Sequence, residues 1–309
     1  MSRKLFAKYT GLLACGSLVL ASGLLRAQSQ EKQQDQTERD WAPSGRGIGT
    51  RHQYGPQSGQ LGPAQTRRGN GISYHGGPLL VNGPRVHYIW YGNWSGNSAQ
   101  TILVDLANNI GGSPYFNINT TYYDGNGNHV ANTVTYIGSA FDSYSQGTSL
   151  SDAAVQAIVA NQNPTDTNGV YFVLTSADVN ETSGFCSHYC GWHTSATING
   201  LDIKYAFIGN PDRCPRSCEA QTTSPNGNAG ADGMASIIAH ELEEATTDPD
   251  LNAWYDSRGE ENADKCAWTF GATARAPNGS QYNMVLGSRQ YLIQQNWVNA
   301  SGGYCALSY

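Results

Sequence analysis

Residues 234–248 read Met-Ala-Ser-Ile-Ile-Ala-His-Glu-Leu-Glu-Glu-Ala-Thr-Thr-Asp, and they narrow the folds open to this chain more than any other stretch. Four ionisable side chains, His240, Glu241, Glu243 and Glu244, follow directly on the apolar entry Ala-Ser-Ile-Ile-Ala. The spacing predicts a helix that opens at Asp232 and Gly233. It stops at Asp248, because Pro249 disfavours helical geometry for the residue before it. His240 and Glu244 are four apart, so they project from one face, one turn apart, where two side chains can chelate one ion. Glu241 lies between them, placed to reach a metal-bound water. The pattern is His-Glu-x-x-Glu, a variant of the His-Glu-x-x-His zinc motif. The competing reading is a solvated face, since Glu is a common helix former. The apolar entry favours burial.

A metal held by one helix needs a third protein ligand and, for catalysis, an open position for water. Gly259-Glu260-Glu261-Asn262-Ala263-Asp264-Lys265-Cys266 lies 20 to 24 residues beyond His240 in its acidic part. By resemblance to zinc peptidases of the gluzincin type, Glu260 or Glu261 is the third ligand, carried on a second helix. Asp264 is either a ligand or the acceptor that orients the histidine. A histidine with carboxylates suits zinc, and also iron or manganese. His188 and His193, in Cys-Ser-His-Tyr-Cys-Gly-Trp-His, read as loop histidines packed beside a disulfide.

The first residues, Met-Ser-Arg-Lys-Leu-Phe-Ala-Lys, precede an apolar run from Leu12 to Leu25 that ends at Arg26-Ala27-Gln28. A basic start, a short apolar stretch and a small residue at its end form a secretory signal, expected to be cut after Ala27. A lipoprotein reading through Leu13-Ala14-Cys15 leaves too little apolar sequence before the cysteine. Removing Arg3, Lys4, Lys8 and Arg26 from the 18 basic residues leaves 14 against 24 acidic ones, a net charge of −10. That balance argues against nucleic acid and, once the signal is gone, against an anionic membrane as partner.

Six cysteines remain after Cys15 is removed: Cys186, Cys190, Cys214, Cys218, Cys266 and Cys305. An even number in an exported chain favours disulfides. The expected pairs are Cys186–Cys190, Cys214–Cys218 and Cys266–Cys305, with crossed pairing between the two Cys-x3-Cys elements as the alternative. A zinc knuckle from Cys186, Cys190 and His193 is the rival reading.

Residues 28–75 carry only three aliphatics larger than alanine, Ile48, Leu61 and Ile72. Such a segment buries too little apolar surface to offset its conformational entropy, so it reads as a disordered arm or linker. A single folded domain is expected over 76–309. Leu79–Val81 and Val86–Tyr91 read as strands around an Asn-Gly-Pro turn, and Ser95–Ile110 reads as a helix ended by Gly111-Gly112. Tyr122–Gly127 has hairpin chemistry with 133–137 as its partner. Ser151 caps a second helix, 170–175 is a central strand, and 203–208 is another. Helices and strands alternate without a strict repeat. The expected class is α+β, a mixed sheet with packed helices and a zincin-like metal-motif helix.

The runs Gly-Gly-Pro-Leu-Leu (76–80), His-Tyr-Ile-Trp-Tyr-Gly-Asn-Trp (87–94), Tyr-Phe-Val-Leu-Thr-Ser-Ala-Asp-Val (171–179) and Phe-Cys-Ser-His-Tyr-Cys-Gly-Trp-His-Thr (185–194) resemble the EXORDIUM family, also called phosphate-induced protein 1. So do Cys-Pro-Arg-Ser-Cys (214–218) and Asp232-Gly233-Met234. The resemblance implies a secreted protein associated with the cell wall or apoplast, tied in plants to growth and nutritional responses, with no established chemistry. Plant members are apolar where this chain has His-Glu-x-x-Glu. Here it resembles microbial relatives that carry His-Glu-x-x-Glu-Ala-x-Thr-Asp-Pro.

Two functions from different classes follow. The first is a secreted, extracellular or periplasmic metallohydrolase, a zinc peptidase acting on protein, peptide or cell-wall substrate, with Glu241 as general base. The second is a non-catalytic signalling or wall-binding protein, with carbohydrate binding by exposed Trp90, Trp94 and Trp192, which could equally be core, as one version. The signal pattern predicts a secreted protein beginning near Gln28. Intact-mass analysis that found Met1 retained would overturn it.

Overall fold

The run Val-Tyr-Phe-Val-Leu-Thr at 170–175 offers water no polar side. In the computed structural model it is buried along its whole length in the middle of a five-stranded sheet. The structure describes residues 71–309, Ser44 and residues 49–51. The signal segment and most of the 28–75 arm lie outside the described residues. The strands are β1 (Arg85–Tyr91), β2 (Thr135–Asp142), β3 (Gly169–Thr175), β4 (Gly191–Ile198) and β5 (Leu201–Ile208), in the spatial order β2-β1-β3-β5-β4. Four are parallel, and β4 runs antiparallel at one edge. Parallel neighbours need crossover connections. Helix α1 (Ala99–Asn109) supplies the one from β1 to β2, and α2 (Asp152–Ala160) the one from β2 to β3. Helix α3 (Ala229–Thr247) follows β5. This is the mixed sheet with packed helices that the sequence predicts.

Local chemistry explains most of these elements. Ser151 accepts from the Ala154 N–H as the cap of α2, whose Val155, Ile158 and Val159 are fully buried. Helix α1 starts at Ala99, later than expected, where the Asn97 side chain takes the Ala99 N–H at 2.9 Å. Helix α3 starts a turn before Asp232, because Asn228 accepts from the Ala231 N–H. Strands β4 and β5 are joined by Asn199-Gly200, both with positive φ, the two-residue hairpin turn that matches strand twist.

Several expectations are corrected. Leu79–Val81 forms no strand. The hairpin at 122–127 closes on itself through a Tyr123–His129 bridge, and 133–137 leads instead into β2, a parallel edge strand beside β1. Trp90, Trp94 and Trp192 are core residues, each about 2 % exposed or less, so none offers a sugar a ring face. The body also begins earlier than Gly76. Ile72 is buried, and Ser73–Tyr74 pairs with Trp254–Tyr255. Within the arm, Gly49 bridges Tyr189, the Arg51 N–H donates to the Ser217 carbonyl, and Trp268 Nε1 donates to the Gly49 carbonyl at 2.6 Å.

The disulfides are Cys186–Cys214, Cys190–Cys218 and Cys266–Cys305. The last pair is as expected; the other two are crossed. The reason is spacing. Cys214 and Cys218 sit four apart on one helical turn, closed by the Cys218 N–H to the Cys214 carbonyl at 3.0 Å. Cβ atoms four apart on a helix are about 5–6 Å from each other. A disulfide needs about 3.5–4.5 Å. The two cysteines therefore point to one side together and meet the Cys186–Cys190 turn as a two-rung ladder. Non-reducing peptide maps should recover residues 184–193 joined to 211–219 through both bridges. Replacing Cys266 and Cys305 by serine should cost about 3–4 kcal/mol in the loop-entropy account, measured by urea unfolding.

Candidate metal centre

Helix α3 is buried on nearly every side, including His240, Glu241, Glu243 and Glu244. One face packs on β4, and Gly191 makes the approach close. A Cβ there would stand 2.5 Å from Ile237 Cγ2 and 3.1 Å from Glu241 Oε1. Side chains two apart on a strand share a face, so His193 projects from β4 on the same side as Gly191, toward the helix. A third segment, 259–266, closes the group. It is a loop with one 3-10 turn at Asp264–Cys266, in place of the expected second helix.

These three segments bring two imidazoles and several carboxylates together. His240 Nε2 lies 2.9 Å from Glu244 Oε1 and 3.4 Å from Asp264 Oδ1. His193 Nδ1 lies 3.4 Å from Glu241 Oε2 and 3.5 Å from Glu244 Oε2, and its Nε2 lies 3.5 Å from Glu261 Oε1. Asp264 also fixes Glu244 through its backbone, donating its N–H to Glu244 Oε1 at 3.0 Å. Glu243 points elsewhere and accepts from Asn296 Nδ2 at 2.6 Å.

Several polar atoms of the group make contacts but no hydrogen bond. Both ring nitrogens of His240, Glu241 Oε1, Glu244 Oε2, Glu261 Oε1 and Asp264 Oδ1 are buried with no hydrogen-bond partner among the described residues. Buried polar atoms are normally satisfied, and each exception calls for a reason such as an ion. Two ligands about 2.1 Å from a zinc ion at the tetrahedral angle stand about 3.4 Å apart. The separations of 2.9 to 3.5 Å match that spacing. The donor set of imidazole and carboxylate fits zinc and also manganese or iron.

The electrostatics show how unbalanced the cluster is. Burial works against charge on His193 and His240, yet the surrounding carboxylates outweigh it and hold both well above the ordinary imidazole value. Glu244 is held down to about 2: burial would raise it, but His240 and His193 prevail. Burial and the neighbouring Glu244 push Asp264 up to about 7, and burial raises Glu241 and, further, Glu261.

Of the sequence-derived residues, His240, Glu241, Glu244, Glu261 and Asp264 converge. Glu260 does not: it is bound through its backbone to Asp256 and stands outside the cluster. Asp264 shares the Nε2 side of His240 with Glu244 and does not meet the opposite nitrogen. His193, expected as a loop histidine, enters the group from strand β4. The signal that reveals it is the Asn199-Gly200 turn, which makes 191–198 a strand and sets its facing residues.

Comparison with known proteins adds a family. The model for the phosphate-induced protein 1 conserved region matches residues 72–306. The chain is 33% identical over 279 residues to Protein EXORDIUM-like 3 of Arabidopsis thaliana, covering 76% of this chain and 82% of that one. It is 31% identical over 273 residues to Protein EXORDIUM-like 5 of the same plant, covering 73% and 75%. Protein PHOSPHATE-INDUCED 1 of Nicotiana tabacum is 28% identical over 226 residues, covering 62% and 69%. No solved structure matches the chain significantly.

Removing one member of a buried ionic group strands the others, which typically costs about 3–5 kcal/mol. Glu244→Ala should show a loss of that order in urea unfolding. Glu260→Ala should stay within about 0.5 kcal/mol, as a surface change does.

Proposed function

The chain belongs to the phosphate-induced protein 1, or EXORDIUM, family, and from that premise we propose that it is a secreted, non-catalytic extracellular protein of signalling or cell-wall type. Its buried histidine–carboxylate centre holds a divalent metal ion, zinc in the first instance, as an internal clamp. The three disulfides support export, since such bonds persist in oxidising compartments.

One observation carries the choice of clamp over catalyst: the enclosure of Glu241. A general base must reach the proton it takes in a plausible substrate pose, and a catalytic zinc keeps an open position. Glu241 is fully buried, with Oε2 facing His193 and Oε1 close to the backbone of Gly191. Strand β4 packs on this face of the helix. His193, His240, Glu244 and Glu261 are likewise 1 % exposed or less. The ligands come from a strand, a helix and a loop, so an ion among them would tie these segments together.

Chelator treatment of the secreted protein should lower its melting temperature, and zinc should restore it. At a hundredfold excess over Kd the ion adds about 2.7 kcal/mol to folding. A denatured-protein substrate should be left uncut. Metal-dependent cleavage that Glu241→Gln abolishes, with the metal retained, would establish the peptidase reading instead.

A further inference from the structure

The ligand atoms do not form one set. They form two triads: His240, Glu241 and Glu244, and His193, Glu244 and Glu261. Within each, the atoms lie within 4.8 Å of one another, and only Glu244 belongs to both. Its two oxygens divide between the imidazoles, Oε1 toward His240 at 2.9 Å and Oε2 toward His193 at 3.5 Å. We propose that the centre holds two divalent ions, with the Glu244 carboxylate bridging them.

The placement of His193 supports the second ion. Its Nε2 lies 3.5 Å from Glu261 Oε1 and 3.3 Å from the backbone carbonyl of Asp248. Its Nδ1 faces Glu241 Oε2 and Glu244 Oε2. The first ion has its own donor in His240, on the opposite oxygen of Glu244, with Asp264 Oδ1 3.4 Å from the same ring nitrogen. The orphaned, fully buried atoms fall on both sides: His240 Nε2 and Glu241 Oε1 on one, Glu244 Oε2 and Glu261 Oε1 on the other.

Charge points the same way. Glu241, Glu244, Glu261 and Asp264 bring up to four negative charges to a nearly dry site, and Asp248 Oδ2 is buried without a partner beside them. One divalent ion offsets two of these charges and a pair offsets four. Carboxylate-bridged pairs with ions about 3.5–4 Å apart are a recurrent arrangement.

The inference rests on the metal-clamp reading, and ion stoichiometry separates the two. The secreted protein is loaded with zinc, dialysed and measured by elemental analysis against chain concentration. Two ions per chain are expected. One per chain overturns the pair and leaves the clamp standing; none overturns both. His193→Ala should fall to one ion with His240 still occupied. Because that variant could fail to fold, the native chain is also loaded with manganese. Its magnetic resonance spectrum should be that of a coupled pair, and the six-line spectrum of an isolated ion at saturation would overturn the proposal.

Discussion

The structure depends on how helix α3 carries four ionisable side chains through the centre of the molecule. A buried carboxylate is costly unless it is paired or hydrogen-bonded. The helix handles its own in two directions. Glu243 turns toward amides: Asn296 donates to its carboxyl, and Asn262 Nδ2 donates to its backbone carbonyl at 3.3 Å. Burial raises that carboxyl well above the ordinary range, and Asn119 and Asn296 lower it only in part. Glu241 and Glu244 turn the other way, toward His193, His240 and the 259–266 loop. Neither face works without partners from distant sequence. The sheet edge and the C-terminal loops are therefore part of what makes the helix possible.

His193 comes from an edge strand and the remaining partners from a loop, and the covalent links fall beside both. His193 lies three residues after Cys190, whose bridge to Cys218 fixes the entry to β4. Asp264 lies two residues before Cys266, whose bridge to Cys305 draws the final strand against the loop. A smaller apolar cluster of Tyr122, Trp254, Trp297, Cys266 and Cys305 backs that loop. Tyr122 ties into it by donating to the Trp297 carbonyl at 2.7 Å. Loop residues alone would pay backbone entropy to hold Glu261 and Asp264 in place. The disulfides and this second core reduce that cost.

What could be read from the chain was whatever depends on near neighbours. The Ser151 cap, the apolar run at 170–175 and the four-residue spacing of His240 and Glu244 each state their structure within a few residues. Partnership across the fold was not written so locally. The run at 133–137 looked like half of a hairpin, yet its strand finds β1 across a helical crossover. Proximity in sequence favours bridges within each Cys-x3-Cys element, while helical spacing turns Cys214 and Cys218 the same way. Glu260 and Glu261 were equivalent by composition. Only the turn at 256–260, which binds Glu260 by its backbone, decides which of them faces inward.

The same long-range character sets when this centre can exist. His193, the Glu241–Glu244 pair and Glu261 come from separate segments, and no two of those segments meet in an extended chain. A preformed site is absent from the unfolded state, so the free energy of ion binding there counts as folding free energy. Binding also requires the imidazoles to give up protons that the carboxylates otherwise hold on them. An ion bound there would replace internal imidazolium charge with its own, which would compensate the carboxylates more fully. The side chain of Asp264, 18% exposed, is the least buried carboxylate of the group. The group joins the sheet edge, the central helix and the 259–266 loop, three segments distant in sequence.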